Sequence, residues 1–534
     1  MRGIAQSGET AATRLGGRAG VMRLVAQRPG LAVGLFIALH VVLWTVVPVL
    51  VHQGLPLDTV EAYAIGREWV IGTYKHPALP SWLLELSRIA TGTIGWPAYL
   101  LSSLAVGATY AFVYLLGRDT LGARLGLAGT LPLAGVMFFS WITPEFNHTL
   151  VQMPIWAAIV WCLWRAREGA GDARAMGWWM ALGAVAGLGL YAKFSSAVLL
   201  VVAAVYILAD ARCRRQLRGP GPWLGLAAFV LAIAPLASWM YATDFQVLGY
   251  GATRAGSPKA GTVAQFMLKE GAAGLGLVVI LSVAIGWRRA LPEPLATDIV
   301  RADARRFLLV FLLAPLALCI VAALLLKIGL RGAWGAAMLS FAGLALVAFQ
   351  APRFNERAVL RAAALSLALL LVVPAAYGVY TANWSRHAKA VPKVAWPQTT
   401  IADGLEAVWR QRMGRPLRIV AGDTWVGGIV AIHGASRPRL LIDGNYARSP
   451  WISQSDVQRE GALAVWAFRS KTPPGDLQGL IGERIDGVIS VPIRSLKLDL
   501  VIDIYYTFVE PASGTPVAPP GRLHEPGSVK RNER

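Results

Sequence analysis

The chain has 534 residues, 55% of them hydrophobic and only 15% charged, with a mean hydropathy of +0.51. A soluble domain carries about 25% charged residues, so this deficit, spread over long apolar runs, excludes an ordinary globular protein and points to a polytopic membrane protein. The formal net charge of +21 does not mark a nucleic-acid binder, because the arginines sit in short loops between apolar runs, where they act as topology determinants.

Residues 1–30 are polar and carry Arg14, Arg18, Arg23 and Arg28. They read as a cytoplasmic N-terminal segment, and the full-length apolar run Leu31–Val51 behind them reads as a signal anchor rather than a cleaved signal peptide. The first outer loop, 52–96, is the longest polar interruption between spans in the first half of the chain. It holds Asp58, Glu61, Arg67, Glu68, Lys75 and His76, interleaved with Tyr63, Trp69, Tyr74 and Trp82. Asp58 and Glu61 are three apart, so a helix places them on one face. Pro77 and Pro80 stop any helix at the far end. The competing reading is a solvated loop with interfacial aromatic anchors; so many ionisable types this close to a bilayer favour a functional one.

Ten further spans follow at about Pro97–Gly117, Arg124–Thr143, His148–Trp164, Gly177–Tyr191, Phe194–Ala209, Trp223–Tyr241, Ala272–Trp287, Phe307–Leu326, Ala333–Gln350 and Val359–Thr381. A transmembrane domain over 31–381 with about eleven membrane helices results. Every second loop is arginine-rich, among them R-A-R-E-G-A-G-D-A-R and D-A-R-C-R-R-Q-L-R. This alternation puts those loops in the cytoplasm and, with an odd span count, the C-terminus in the periplasm.

From Ala382 the apolar runs stop. Leu417–Ala421, Leu440–Asp443, Ala462–Phe468, Asp486–Val491 and Leu498–Tyr505 read as strands and Thr400–Met413 as a helix. A small periplasmic α/β domain over 382–511 is expected. G-D-T-W-V-G-G at Gly422–Gly428 lacks the spacing of a dinucleotide loop. The tail 512–534, rich in Pro, Gly and Arg, reads as disordered. The three cysteines, Cys162, Cys213 and Cys319, lie in spans or a basic loop and form no C-x-x-C, which argues against a disulfide or a cysteine metal site.

The remaining outer-face polar groups are few. In T-P-E-F-N-H, Glu145, Asn147 and His148 could bind a sugar; Glu145 and His148 are candidates for a divalent cation. Equally, the cluster could cap the following span. Lys193 sits in Y-A-K-F-S-S, and Lys327 and Arg331 in K-I-G-L-R-G-A-W. Cations on the positive-poor side suggest a bound anion such as a lipid phosphate, against the alternative that each snorkels to headgroups. His40, inside the first span, reads as a packing residue.

D-T-V-E-A-Y and G-T-Y-K-H-P-A-L-P-S-W-L, followed in order by P-E-F-N-H, G-L-G-L-Y-A-K-F-S-S and R-G-A-W, resemble the bacterial family-39-type membrane glycosyltransferases. These are relatives of the protein O-mannosyltransferases and of the aminoarabinose transferase that modifies lipid A. The resemblance covers roughly Leu31 to Trp334. It implies a GT-C fold in the bacterial inner membrane and a polyprenyl-phosphate-linked sugar donor used at the outer face. It further implies an acidic catalytic base in the first outer loop, at the position of Asp58. Many members carry adjacent Asp-Glu there; here Thr59 and Val60 intervene before Glu61, which leaves open which carboxylate is the base.

Residue chemistry agrees. Glycosyl transfer to a hydroxyl needs a base for the acceptor proton and cations for the departing phosphate. Lys75, His76, Glu145, Asn147, His148, Lys193, Lys327 and Arg331 are the candidate substrate-binding residues, and one attacking group implies inversion. A metal is optional, since basic side chains can take its place. The expected acceptor is an envelope lipid, glycan or protein. The alternative is a transporter or flippase for a lipid-linked saccharide, which would carry its ionisable groups near mid-membrane on broken helices. A degenerate relative that only binds glycan would lack the carboxylates, and both are present.

Overall fold

A computed structural model of the chain describes residues 27–169, 173–255, 261–286, 300–327, 329–330, 332–388, 390–467, 472–493 and 500–512. Arg331 and residues 1–26, 287–299 and 513–534 lie outside the described residues. Two compact units emerge: 1–402 with 490–502, and 403–489 with 503–534.

The first unit is helical. Its elements run α1 (Pro29–Val51), α2 (Leu57–Gly66), α3 (Leu79–Thr91), α4 (Trp96–Leu121), α5 (Ala123–Thr130), α6 (His148–Glu168), α7 (Ala173–Ala192), α8 (Ser196–Ala209), α9 (Ala211–Gln216), α10 (Gly221–Ala242), α11 (Gln246–Ala255), α12 (Thr262–Ile285), α13 (Ala302–Leu325), α14 (Ala342–Phe349) and α15 (Glu356–Ala382). Among the described residues, eight helices are long and apolar enough to cross a membrane: α1, α4, α6, α7, α10, α12, α13 and α15. The chain is thus a polytopic membrane protein.

Three of the eleven expected spans differ from that picture. The one at 196–209 is a helix of only 14 residues. The one at 333–350 is broken into 3₁₀ turns followed by α14. The one at 124–143 is α5 followed by 3₁₀ turns at Leu131–Gly135 and Met137–Phe139. Pro132 opens the first of those turns and cannot donate to the preceding one. Gly135 then lies so close to Gly276 of α12 that a Cβ on either would strike the other's backbone. Hydropathy measures apolar length and not the continuity of hydrogen bonding, so it reads such segments as full spans.

The arginine-rich loops meet at one end of this unit. Arg167, at the end of α6, is buried and donates to Asp210 at 3.1 and 3.2 Å and to Asp303 at 3.2 Å. A desolvated guanidinium must be paired, and this one pairs with residues from two other loops. Asp210 also caps α9 through the Arg212 and Cys213 amides at 2.9 and 3.0 Å.

The C-terminal part of the chain forms a sheet of order β2-β1-β3-β5-β4, built from β1 (Ile419–Gly422), β2 (Arg439–Ile442), β3 (Ala462–Trp466), β4 (Gly487–Ile493) and β5 (Leu500–Val509). β1 pairs in parallel with β2 and β3, whereas β5 joins β3 antiparallel. Parallel neighbours need helical crossovers, supplied by α17 (Val426–His433) and α18 (Gln454–Glu460). α16 (Gln398–Met413) precedes the sheet and α19 (Gly475–Ile481) leads into β4. In the G-D-T-W-V-G-G turn, Asp423 accepts the amides of Trp425 and Val426 at 3.1 and 2.6 Å and so starts α17. The core gathers Ile419, Leu441, Ala464, Trp466, Leu477 and Ile481.

Candidate active site

The loop after α1 is pinned from three sides. The His52 ring lies between the hydroxyls of Tyr99 and Tyr377, 2.8 Å from each. Burial pushes its imidazole down to about 4, so it is neutral and offers one donor and one acceptor, one to each tyrosine. The amides of Gln53 and Gly54 donate to the Val394 carbonyl at 2.9 and 3.0 Å. The Gln398 amide clasps Leu55 at both its N–H and its carbonyl, at 3.0 and 2.8 Å. A Cβ on Gly54 would overlap that Gln398 amide, so a bare backbone is required there.

With its entry held, α2 starts behind Pro56 and places Asp58 in its first turn, where the helix dipole favours a negative charge. Thr59, the next residue, is buried and donates to the Phe146 carbonyl at 3.1 Å. This bond ties α2 to the P-E-F-N-H turn. Asn147 caps α6 by accepting from the Thr149 and Leu150 amides at 2.9 and 3.2 Å, and its side chain lies close enough to Asp58 to favour the ionised carboxylate. Of the two readings of this turn, the capping one is met by Asn147.

Asp58 and Glu145 line a cavity of about 680 Å³. Its lining is rich in aromatic side chains, Trp141, Tyr377 and Tyr380, and takes in the segment after α15, with Trp384, His387 and Lys393. Trp141 and Tyr377 meet edge to face at 5.1 Å, and His387 stacks on Tyr380 at 3.9 Å. Both residues are exposed to solvent through the cavity, with protein packed around the remainder of each side chain. This enclosure pushes Asp58 above the usual carboxylate range, and the charge of Glu61 adds to it; Lys75, Lys193 and Asn147 pull the other way without cancelling it. Glu145 is raised by burial and then by the neighbouring Asp58. A carboxylate so disposed takes up a proton more readily than one in water.

Glu61 is not part of the cavity wall. Lys75 lies 3.1 and 3.2 Å from its two oxygens. Burial works against the Lys75 charge, but Glu61 more than restores it. His76 packs its ring on His148 at 4.2 Å, and His148 Nε2 donates to the Pro77 carbonyl at 3.1 Å. Tyr250 of α11 edges against both His76 and Tyr74. Lys193 donates to Thr149 at 2.8 Å; burial lowers it to about 8, with the charge of Asp58 acting against the drop. Lys327, two residues past the end of α13, is exposed with a φ of 52° and does not line the cavity. Among the described residues no group of three or more His, Cys, Asp or Glu side chains could hold a metal ion, so Glu145 and His148 gain no third ligand of these types. His40 is buried against Tyr110 at 5.5 Å, in keeping with a packing role.

Trp141, Tyr377, Tyr380, Trp384, His387 and Lys393 escaped the sequence reading. The signal was a run of aromatic and basic residues, N-W-S-R-H-A-K-A-V-P-K-V-A-W, directly after the last span. Such composition is normal for any membrane interface, which is why it did not stand out.

The family model described as Dolichyl-phosphate-mannose-protein mannosyltransferase matches residues 75–239. The lipopolysaccharide core galacturonosyltransferase RgtA of Rhizobium johnstonii is 26% identical over 218 residues, which is 39% of this chain and 41% of that protein. ArnT from Cupriavidus metallidurans, solved bound to undecaprenyl phosphate, superposes with a TM-score of 0.60 at 14% identity, covering 89% of this chain and 97% of that one. Its apo state gives 0.59 over the same shares. The resemblance to family-39-type membrane glycosyltransferases therefore holds, and the fold is GT-C.

Proposed function

We propose that this protein is an inner-membrane glycosyltransferase that moves a sugar from a polyprenyl-phosphate donor to an envelope acceptor at the periplasmic face. The observation that carries the reading is the cavity that Asp58 lines together with the aromatic side chains of Trp141, Tyr377 and Tyr380. Aromatic faces suit the apolar face of a sugar ring, and a carboxylate of raised proton affinity suits a general base. The acceptor hydroxyl oxygen attacks the anomeric carbon. Its proton passes to Asp58 while the bond to the phosphate oxygen breaks, and the phosphate leaves with the electron pair. Attack from the side opposite the phosphate inverts the anomeric centre. Asn147 orients Asp58, and Lys193 supplies positive charge beside the reacting groups. The polyprenyl donor is supported by the undecaprenyl phosphate in the ArnT structure, and an envelope acceptor by the core-modifying role in the name of RgtA.

The test is mass spectrometry of envelope lipids, glycans and proteins from cells with and without the protein, repeated with Asp58→Asn at equal expression. A sugar increment lost in both cases supports the reading. Normal increments with Asp58→Asn overturn it, and a donor that is translocated but never consumed would put the flippase reading in its place.

A further inference from the structure

A second cavity, of about 370 Å³, lies between α7, α8 and α10. Its lining is apolar and includes Trp179, Gly183, Ala204, Leu208, Leu217 and Trp223. α7 and α10 approach so closely that a Cβ on Gly183 would run into the Gly225 carbonyl. The groove flanks this crossing and is open to the side: Leu208 and Trp223 are 62% and 58% exposed. It lies towards the arginine-rich end of the bundle, away from Asp58, because its lining includes Leu208 and Leu217 on either side of the basic turn.

That turn, 210–218, supplies what an apolar groove alone lacks. Arg214 donates to the Leu208 and Ala209 carbonyls at 3.2 and 2.7 Å, which holds its guanidinium at the groove edge. Trp223 Nε1 donates to the Leu217 carbonyl at 2.9 Å at the opposite lip. Arg212 is taken up by Glu168 at 2.6 Å and Asp210 by Arg167 at 3.1 Å. Arg214, Arg215 and Arg218 are exposed, and among the described residues no carboxylate forms an ion pair with them. Three positive charges without an ion pair thus lie in the turn that borders this apolar slot, Arg214 held at Leu208 and an interfacial tryptophan at the lip formed by Leu217.

We propose that the groove holds one acyl chain of an anionic phospholipid, whose headgroup phosphate is met by Arg214, Arg215 and Arg218. Bidentate guanidinium contacts suit a phosphate, and basic clusters at the end of a helix bundle attract anionic lipid. The occupant is a bilayer lipid rather than the sugar donor, because the groove and the Asp58 cavity are at opposite ends of the bundle.

The full-length protein in detergent is titrated with phosphatidylglycerol, phosphatidylcholine and undecaprenyl phosphate, and bound lipid is counted by native mass spectrometry. Phosphatidylglycerol is expected to bind about tenfold or more tightly than phosphatidylcholine and to raise the melting temperature. Replacing the three arginines together (Arg214→Gln, Arg215→Gln, Arg218→Gln) should weaken it by about tenfold or more. Ala204→Phe, at an exposed position in the lining, should block the chain while leaving the lipid-free melting temperature unchanged. If Ala204→Phe fails to fold, the arginine variant decides alone. Equal binding of the two phospholipids, retention of phosphatidylglycerol by the variants, or displacement of it by undecaprenyl phosphate overturns the proposal.

Discussion

The Lys75 ammonium lies 3.1 Å from one carboxylate oxygen of Glu61 and 3.2 Å from the other. Three residues earlier on the same helix, Asp58 opens into the cavity. One carboxylate is engaged with a cation and the other faces the space where a substrate fits, so the two are expected to respond differently to loss of charge. Asp58→Asn keeps size and hydrogen bonding but cannot take a proton, and should slow transfer by about a hundredfold or more. Glu61→Gln should transfer faster than Asp58→Asn but melt lower, because it leaves the Lys75 charge uncompensated. Breaking a fully buried pair costs about 3–5 kcal/mol; with 17% and 14% of these side chains exposed, the loss is smaller. Sugar transfer in membranes at matched expression, beside thermal melting, checks both. A dead Glu61→Gln with an active Asp58→Asn reverses the roles.

The same substitution has a stability signature. The folded protein holds the Asp58 proton more tightly than the unfolded chain. Stability from this group is therefore full below the ordinary carboxylate range, near 3.9, and is lost as pH rises through the higher folded value. At neutral pH the ionised Asp58 costs stability, and Asn does not. Asp58→Asn should melt at or above wild type at pH 7, with the difference closing on acidification. A lower melting temperature at pH 7 would show that the carboxylate is held in place for stability instead.

Lys193 is expected to set the alkaline limit. Its folded value, about 8, is below the unfolded value near 10.4. Transfer should decline as pH rises through about 8, when the positive charge beside Asp58 is lost. Across the same window the unfolded chain binds the extra proton, so stability should rise. Lys193→Arg keeps its charge and should move the alkaline limb upward, read from the pH dependence of kcat/KM. An unmoved limb would assign the titration elsewhere.

Gly54 and Gln398 test how firmly the loop must be held. Gly54→Ala drives a Cβ into the Gln398 amide and disturbs the clasp on Leu55, three residues before Asp58. Overpacking of this kind costs about 1–3 kcal/mol, and a misplacement of about 1 Å can cost about a hundredfold in rate. The expected result is a larger loss in kcat than in expression or melting temperature. Truncating Gln398 in the same chain (Gln398→Ala) removes the overlap but also the clasp on Leu55, so kcat should stay low. Unchanged kcat in Gly54→Ala would show that the loop need not be clamped.

Topology is open to direct measurement. A translocation-dependent reporter fused after Asn383, just beyond α15, should be active, and a cytoplasmic one silent. The reverse outcome would place the Asp58 cavity at the cytoplasmic face and exclude a periplasmic transfer.

Much of this was legible in one dimension. Apolar length and alternating arginine content need no partner to be read, so the helical unit, its order and the carboxylate-bearing loop after the first span followed from composition. The strands after Ala382 followed from local pattern in the same way. Tertiary structure alone decided three things. It broke the expected span at 124–143, because Pro132 and the Gly135–Gly276 contact act across helices far apart in the chain. It turned Glu61 onto Lys75 and Asp58 into the cavity, a difference that three positions on one helix face cannot express. It also brought the 384–393 segment beside Asp58 and Glu145, more than two hundred residues away, where packing and not sequence proximity determines what a substrate would touch.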